Sequence, residues 1–351
     1  MTIGLIIVLG LILILPFAFR TIEHNLEYFL LAMGLLATLL SGSLSLDLMK
    51  HIFENYLLYF ITAAVLAAGL GFRFSVKKIK KFVGLISKNI PFKVFIFLIV
   101  VVLGLTSSFI TAIIASLILV EIVHALPLKH GSKVMLTITA CFSIGLGAAL
   151  TPIGEPLSTI VVSSLKADFF FLLKNIGRYV LPGIFVLGIF AALVIGRNES
   201  DKNNPSAKDP EWNSEEKNLA AAETLKDVFI RALKIFLFII ALELLGSGFK
   251  LLIDTYVIHL DSALLYWINM SSAVLDNATL AAAEISPAMS IKQIQAILMG
   301  LLLSGGMLIP GNIPNIIAAG KLNIKSREWA KFGLPIGISL LIIYFTIIFL
   351  I

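Results

Sequence analysis

The sequence predicts an all-α, polytopic integral membrane protein. Of its 351 residues, 59% are hydrophobic and only 14% are charged, whereas roughly 25% of the residues in an average soluble domain are charged. The apolar residues are also continuous, because several long segments contain no Asp, Glu, Lys or Arg. These segments are residues 3–19, 28–46, 55–72, 94–120, 134–154, 179–196, 293–320 and 332–351. Each approaches or exceeds the roughly 20 residues that a helix needs to cross a bilayer.

Continuous apolar runs favour helices over the strands of a membrane barrel, in which lipid-facing and inward-facing residues alternate. Composition therefore excludes the soluble, fibrous and disordered classes. We expect a cell membrane (inner or plasma membrane) location with the lipid bilayer as a partner. We expect no nucleic-acid partner, since the net charge of +6 is explained by basic loops that face anionic lipid.

Two hydrophilic stretches set the predicted topology. Residues 73–93 contain seven Lys or Arg and no acid, which predicts an interfacial helix in the cytoplasm by the positive-inside rule. Three crossings precede this segment, so the N-terminus is expected outside. Residues 197–227 have the composition of a hydrophilic cytoplasmic linker that acts as a passive connector. The linker separates a first transmembrane half, residues 1–196, from a second, residues 228–351.

Each half is predicted to contain a re-entrant hairpin followed by a broken helix. In the first half the hairpin spans about residues 94–126, with its turn near Thr106–Thr111, and the broken helix spans about residues 134–165. In the second half the hairpin spans about residues 262–284 and the broken helix about residues 293–320. In this topology the two hairpins enter the membrane from opposite faces.

Three motifs recur in the same order in the two halves. The matching pairs are residues 107–110 with 271–274 (SSFI with SSAV), 152–156 with 310–314 (PIGEP with PGNIP), and 181–183 with 334–336 (LPG with LPI). Two such units that are separated by an odd number of crossings form an inverted repeat. This arrangement lets a secondary transporter open alternately to either side of the membrane.

The broken helices supply the first candidate site residues. A helix interrupted by Pro and Gly loses backbone hydrogen bonds, because Pro has no N–H and Gly permits non-helical dihedral angles. The freed carbonyls and helix ends need partners and are typical of ion sites. Glu155 lies in the first break with Thr151 nearby, and an ionisable group at that depth costs about 2.5–3.5 kcal/mol unless it faces a cavity, a cation or a partner. Asn312 and Asn315 in the second break offer neutral oxygens, which either bind an ion or cap the broken ends.

The hairpins supply the second set of candidates. Asp276, Asn277 and Thr279 interrupt the second hairpin with a carboxylate, a carboxamide oxygen and a hydroxyl, all hard ligands suited to Na⁺ or to carrying H⁺. The first hairpin has Ser108 and Thr111 but no acid at its expected tip. Those hydroxyls either contribute ligands or bond back to their own helices. Four further groups near the ends of apolar runs are predicted to snorkel or cap: Glu121, His124, Glu243 and Glu284.

The segment Ser271–Thr279, taken with Pro310–Asn315, resembles the ion transporter superfamily, in which hairpin tips and unwound helices carry the substrate and sodium ligands. Its Asp-Asn signature is most similar to that of the NhaD-type sodium/proton antiporters. The whole chain is similar to a group of predicted prokaryotic cation transporters. The resemblance implies an inverted-repeat fold over most of the chain, with Asp276, Asn277 and Thr279 at the ion site.

One departure from that family concerns the first hairpin. There the family often has Asn, Asp or Ser-Asn-Thr, whereas residues 109–112 of this chain are Phe-Ile-Thr-Ala. This difference argues against a second, symmetric ion site and gives Glu155 more weight.

These features predict a proton-coupled antiporter for Na⁺ or Li⁺, in which Asp276 and Glu155 exchange H⁺ for the cation while the halves alternate access. Asp276, Asn277 and Glu155 are the expected ligands of the transported cation. A sodium-coupled anion or carboxylate transporter fits the same architecture, because the N-termini of the broken helices could hold an anion. A channel is a further alternative. Hydrolase and protease signatures are absent from the sequence, so we expect no enzyme activity and no cofactor. A homodimer is left open.

Overall fold

The computed structural model describes residues 2–19, 22, 25–55, 58, 59, 62, 63, 66, 67, 70, 90–126, 128–198, 225–275 and 277–351. Within these residues the chain is built from helices and contains no strand, which confirms the predicted all-α class. Most of the predicted interfacial segment 73–93 and of the predicted linker 197–227 lies outside the described residues, as does Asp276.

The helices are numbered in chain order. Those that precede residue 199 are α1 (Thr2–Ala18), α2 (Leu26–Ser41), α3 (Leu46–Glu54), α4 (Phe92–Ile110), α5 (Ala112–Ala125), α6 (His130–Ala148), α7 (Pro156–Ser164) and α8 (Phe171–Asn198). Those that follow residue 224 are α9 (Leu225–Leu252), α10 (Ser262–Ile268), α11 (Asn277–Glu284), α12 (Ile291–Gly305), α13 (Ile313–Leu322) and α14 (Ser326–Phe349). Short 3₁₀ segments cover Asn269–Ala273 and Ile309–Gly311.

Among the described residues, four helices are long and apolar enough to cross a bilayer. They are α4, α6, residues 171–195 of α8, and α14. The apolar window of α6 is 83% buried inside the protein, whereas that of α14 is only 28% buried. The helix α6 therefore lies in the interior, and α14 presents apolar side chains at the periphery, as expected for contact with lipid.

The predicted first hairpin consists of two helices that meet at Thr111. This residue has a φ of 76°, which a β-branched side chain rarely adopts. Its Oγ1 accepts a hydrogen bond from the N–H of Ile114 at 3.4 Å and so caps α5. The helix interruption thus lies at the end of the expected turn region, and the re-entrant path of residues 94–126 stays a prediction.

The other predicted irregular segments also coincide with helix interruptions. Residues 262–284 divide into α10, the 3₁₀ segment Asn269–Ala273 and α11. The helices α6 and α7 are separated by residues 149–155, here named the first break. The helices α12 and α13 are separated by residues 306–312, here named the second break.

Around these breaks, helices that precede residue 199 pack against helices that follow residue 224. The helix that follows the second break, α13, packs against α5, and the helix that follows the first break, α7, packs against α11. The helices that precede the breaks, α6 and α12, contact each other, and α14 and α8 each contact the broken helix of the other half. Most residues of both breaks are buried, so this packing places them inside the protein.

A separate pair, α2 and α9, packs along much of its length. A Cβ atom on Gly34 of α2 would lie 2.9 Å from the carbonyl oxygen of Ala241 in α9, so glycine is needed for this close approach. Lys234 of α9 forms an ion pair with Glu27 of α2 at 2.5 Å. The α9 helix also contacts α7 and α11, which connects this pair to the helices around the breaks.

Candidate functional site

The first break begins after Ala148 and ends at Glu155, which is the N-cap residue of α7 and has extended dihedral angles (φ −156°, ψ 162°). Pro156 follows as the first helical residue, where its missing N–H costs nothing. The carbonyl of Gly154 accepts a hydrogen bond from the N–H of Ala112 at 2.8 Å. The first break is therefore bonded directly to the start of α5.

Hydroxyl groups satisfy the carbonyls around the first break. Thr151 Oγ1 donates to the carbonyl of Ser108. Ser158 Oγ donates to Ala148 O at 3.2 Å, and Thr159 Oγ1 donates to Pro152 O at 2.7 Å. These bonds replace the helical bonds that the break removes, which the membrane interior requires.

The remaining predicted residues of the first half lie around the same break. Glu155 is 5% exposed and Ser108 is buried. The Ser108 hydroxyl donates to Leu105 O at 2.7 Å within its own helix, so its role includes the local back-bonding that was one of the two predicted alternatives. Thr111 is also buried.

In the second break an amide side chain bonds the freed carbonyls, as hydroxyl side chains do in the first break. Its N-cap residue is Asn312, with extended dihedral angles (φ −154°, ψ 146°). Asn315 Nδ2 donates to Gly305 O and to Leu308 O, both at 2.8 Å. The two carbonyls that the break frees are therefore held by one buried amide.

Two hydrogen bonds of the first break have counterparts at equivalent positions in the second break. Ser158 bonds the carbonyl ten residues before it, and so does Asn315. The N–H of Gly154 donates to Thr151 O at 3.1 Å, and that of Gly311 donates to Leu308 O at 3.4 Å. This correspondence pairs residues 157 positions apart (311 less 154), whereas Pro152 and Pro310 lie 158 positions apart. The geometry thus pairs Glu155 with Asn312 and Ser158 with Asn315.

Four buried oxygen atoms around the second break have no hydrogen-bond partner among the described residues. They are Asn269 Oδ1, Ser272 Oγ, Asn312 Oδ1 and Asn315 Oδ1. The amide orientation is fixed for two of them, because both N–H groups already donate to oxygen atoms. Asn315 bonds the two carbonyls named above, and Asn269 Nδ2 donates to Leu265 O at 2.9 Å and to Glu284 Oε2 at 2.8 Å.

These oxygens lie where three parts of the chain meet. Ser304 Oγ of α12 donates to the carbonyl of Asn269 at 2.9 Å. A Cβ atom on Gly305 would lie 3.4 Å from Ser272 Oγ, and one on Gly145 of α6 would lie 2.6 Å from Asn312 Nδ2. The segment Asn269–Ala273, the second break and α6 therefore converge.

An unsatisfied buried oxygen costs about 1–3 kcal/mol, so several in one region call for a ligand. Amide and hydroxyl oxygens are hard ligands that suit alkali and alkaline-earth cations. Among the residues that the structure describes, no group of three or more His, Cys, Asp or Glu could hold a metal ion. A cation bound by the described part of this region would thus be held mainly by neutral oxygens.

The predicted residues of the second hairpin are described only in part. Asn277 begins α11 and is buried, and its Nδ2 has no hydrogen-bond partner among the described residues. Thr279 lies in α11, but its side chain is outside the described part of the chain. Asp276 connects the segment Asn269–Ala273 to α11 in the sequence and is likewise outside it.

The sequence did not single out two residues of this region, and it assigned a different role to a third. Asn269 and Ser272 are buried, and Glu284 accepts a hydrogen bond from Asn269, although a snorkelling or capping role was predicted for it. The available signal was Asn269 itself, an amide in the apolar stretch before Asp276. Its partners lie on other helices, so the sequence does not reveal them.

Residues 2–351 match the family described as "Protein of unknown function (DUF1646)". No curated protein matches the chain. The family match covers both breaks and all the helices described above.

Proposed function

The chain belongs to the DUF1646 family, and we propose that it is a secondary active transporter that exchanges Na⁺ or Li⁺ for H⁺ by alternating access. The observation that carries this proposal is the group of buried oxygens of Asn269, Ser272, Asn312 and Asn315. They are hydrogen-bond acceptors, or a hydroxyl that can act as one. A cation satisfies such atoms, whereas an anion needs donors.

Two structural repeats of inverted topology would provide the alternating access. The matched hydrogen bonds of the two breaks support this part of the proposal. So does the reciprocal packing of α13 on α5 and of α7 on α11. In transporters built this way, substrate sites lie at the interface of the repeats and near discontinuous helices, and rocking of one unit against the other exposes the site to either side.

The proposed charged ligands are Asp276 and Glu155, with Asn277 and Thr279 beside the former. In the sequence, Asp276 lies three residues after the segment Asn269–Ala273, which contributes two of the unsatisfied oxygens. Glu155 occupies the position in the first break that Asn312 occupies in the second. A carboxylate inside a membrane protein is stabilised either by a proton or by a cation. Competition between the two for the same carboxylate would couple their movements in opposite directions.

A sodium-coupled anion or carboxylate transporter is the second candidate. One observation favours it, namely the buried Asn277 Nδ2, a donor with no acceptor among the described residues. The N-termini of α7 and α13, which begin at the two breaks, would add to the attraction for an anion. Acceptors without donors are more numerous than this one donor, so the cation antiporter is the function that the site supports best.

Purified protein in proteoliposomes with an internal pH dye tests the proposal. After a pH gradient is imposed, Na⁺, Li⁺, K⁺ or Ca²⁺ is added and the dissipation of the gradient is recorded. We expect Na⁺ or Li⁺ to dissipate it, and Asp276→Asn to stop the exchange. Asp168→Asn is the matched control, because Asp168 lies in the loop before α8 and pairs with Lys174 at the surface.

Failure of every cation to dissipate the gradient, with folded protein, would contradict the antiporter. Uptake of labelled dicarboxylate or tricarboxylate that depends on Na⁺ would then establish the second candidate.

A further inference from the structure

Glu284, the last residue of α11, is connected to the group of unsatisfied oxygens through one amide side chain. It is half-buried, and its Oε2 accepts a hydrogen bond from Asn269 Nδ2 at 2.8 Å. The other N–H of the same amide donates to Leu265 O at 2.9 Å. Asn269 is fully buried, and its Oδ1 has no hydrogen-bond partner among the described residues. The carboxyl group thus bonds the nitrogen of an amide whose oxygen is unsatisfied.

The backbone of Asn269 is also held in place. Ser304 Oγ donates to Asn269 O at 2.9 Å. A Cβ atom on Gly300 would lie 2.9 Å from Asn269 Cβ and 2.5 Å from Tyr266 O, so this glycine allows α12 to approach Asn269 closely. Ser304 directly precedes Gly305, the residue at which α12 ends and the second break begins. These contacts fix the position of the Asn269 amide relative to the second break.

Glu284 is one of few charged residues near these oxygens. The helices α10, α11 and α12 and the segment Asn269–Ala273 contain only two charged residues, Glu284 and Lys292. Lys292 lies in the first turn of α12, and its Nζ is 5.2 Å from the centre of the Phe349 ring. No ion pair between described residues includes Glu284. An acidic group is therefore adjacent to neutral oxygens that suit a cation.

We propose that Glu284 is a positioning residue of the cation site, and that its ionised form strengthens Asn269 Oδ1 as a cation ligand. The inference rests on the proposed function, because it requires these oxygens to bind Na⁺ or Li⁺. Neutral oxygens do not balance the charge of a cation, and a buried charge is costly unless it is paired. Glu284 supplies the balancing charge without contacting the cation.

The hydrogen bond between Asn269 and Glu284 transmits this effect. A hydrogen bond to an ionised acceptor is about twice as strong as one between neutral groups. Successive hydrogen bonds also polarise one another in the protein interior. The bond from Asn269 Nδ2 to the carboxylate therefore draws the amide dipole toward a more negative Oδ1, and the carboxylate adds a direct attraction for the cation.

Cation binding by the purified full-length protein in detergent tests this inference. Na⁺ and Li⁺ are titrated separately at constant pH and ionic strength, and Kd is measured by calorimetry. Glu284→Gln retains a carbonyl acceptor for Asn269 but removes the charge, so we expect Kd for both cations to rise about tenfold. Glu243→Gln is the matched control and should leave Kd unchanged. Glu243 is also half-buried, but it lies in α9 and accepts its hydrogen bonds from Asn55 and Ser163, in place of the predicted snorkelling or capping.

A double-mutant cycle tests whether Glu284 acts through Asn269. In the Asn269→Ala background the amide is absent, so adding Glu284→Gln should raise Kd only about threefold, through the direct attraction that remains. The same tenfold rise in both backgrounds would overturn a role that depends on Asn269. The melting temperature of Glu284→Gln without cations should equal that of the wild type, because Gln keeps the local packing.

Glu284→Asp provides a second test that is independent of the folding of Glu284→Gln. Its carboxylate is one methylene shorter and is withdrawn from Asn269, so Kd should rise here as well. A wild-type Kd in Glu284→Asp would overturn the inference if Glu284→Gln does not fold.

The outcomes separate the inference from the proposed function. The same Kd in the wild type and Glu284→Gln would overturn the role of Glu284 and leave the antiporter standing. Weaker binding by Glu284→Gln, in a protein whose bound cation moves no H⁺ in proteoliposomes, would support the role of Glu284 and contradict the antiporter. No binding of Na⁺ or Li⁺ by the folded wild type would overturn both.

Discussion

Replacing Asn315 by Ala tests whether its side chain both stabilises the second break and binds a cation. The Asn315 Nδ2 donates to two buried carbonyls, those of Gly305 and Leu308, at 2.8 Å each. The Ala variant leaves both carbonyls without a donor, and each loss costs about 1–3 kcal/mol. It also removes the unsatisfied Oδ1 atom, which restores about 1–3 kcal/mol of stability. Without a cation the net loss of stability should therefore be about 1–3 kcal/mol.

Addition of a cation should widen the difference between the two proteins. If Asn315 Oδ1 is a ligand, Na⁺ or Li⁺ stabilises the wild type by about 2.7 kcal/mol at a concentration 100-fold above Kd. The Asn315→Ala variant should lose most of this stabilisation. The assay is unfolding in detergent, followed by temperature and by denaturant, over a series of cation concentrations at constant ionic strength.

Ser158→Ala is the matched control for this experiment, because Ser158 holds the equivalent carbonyl of Ala148 in the first break. It should lose stability by a similar mechanism but keep the full response to the cation. Full cation stabilisation in Asn315→Ala would show that the amide oxygen of Asn315 is not a ligand. Loss of the response in Ser158→Ala alone would place the cation at the first break instead.

Two further predictions concern packing and pH. A Cβ atom on Gly147 of α6 would overlap the carbonyl oxygen of Gly104 in α4, so Gly147→Ala should lower the free energy of unfolding by about 1–3 kcal/mol. Gly131→Ala is the control, because a Cβ atom there meets no atom within 4 Å, and it should leave the melting temperature unchanged. Hydrogen bonds from Lys174 hold the pKa of Asp168 below its ordinary value of 3.8, so its contribution to stability is present above that value and is lost as the pH falls through the lower, folded-state pKa. Melting temperatures measured in acid should show this loss in the wild type and not in Asp168→Asn.

The interruptions of the helices were predictable because their causes are local. Pro lacks the N–H of a helical hydrogen bond and Gly permits non-helical dihedral angles, so breaks at residues 152–156 and 310–314 could be predicted from the sequence. They overlap the observed interruptions at residues 149–155 and 306–312. The motif match pairs Pro152 with Pro310, which are 158 positions apart, whereas the hydrogen bonds of Gly154 and Gly311 pair residues that are 157 positions apart.

The partners of the polar groups were not predictable, because they come from distant parts of the chain. The bonds of Glu243 join it to Asn55 and Ser163, which lie 188 and 80 positions away. Asn269 occupies an apolar stretch, and its role depends on α11 and α12, which contribute Glu284 and Ser304. Periodicity and motif spacing describe single helices, whereas these contacts depend on how the helices pack.

In the proposed antiporter one site binds either a cation or a proton, and calorimetric titration measures this competition. Li⁺ and Na⁺ are titrated into the purified protein at one pH in two buffers that differ in ionisation enthalpy. We expect saturable binding whose measured heat differs between the buffers, because each bound cation displaces H⁺. We also expect Asp276→Asn to abolish this difference. Saturable binding with the same heat in both buffers, or no binding of either cation, would contradict the claim.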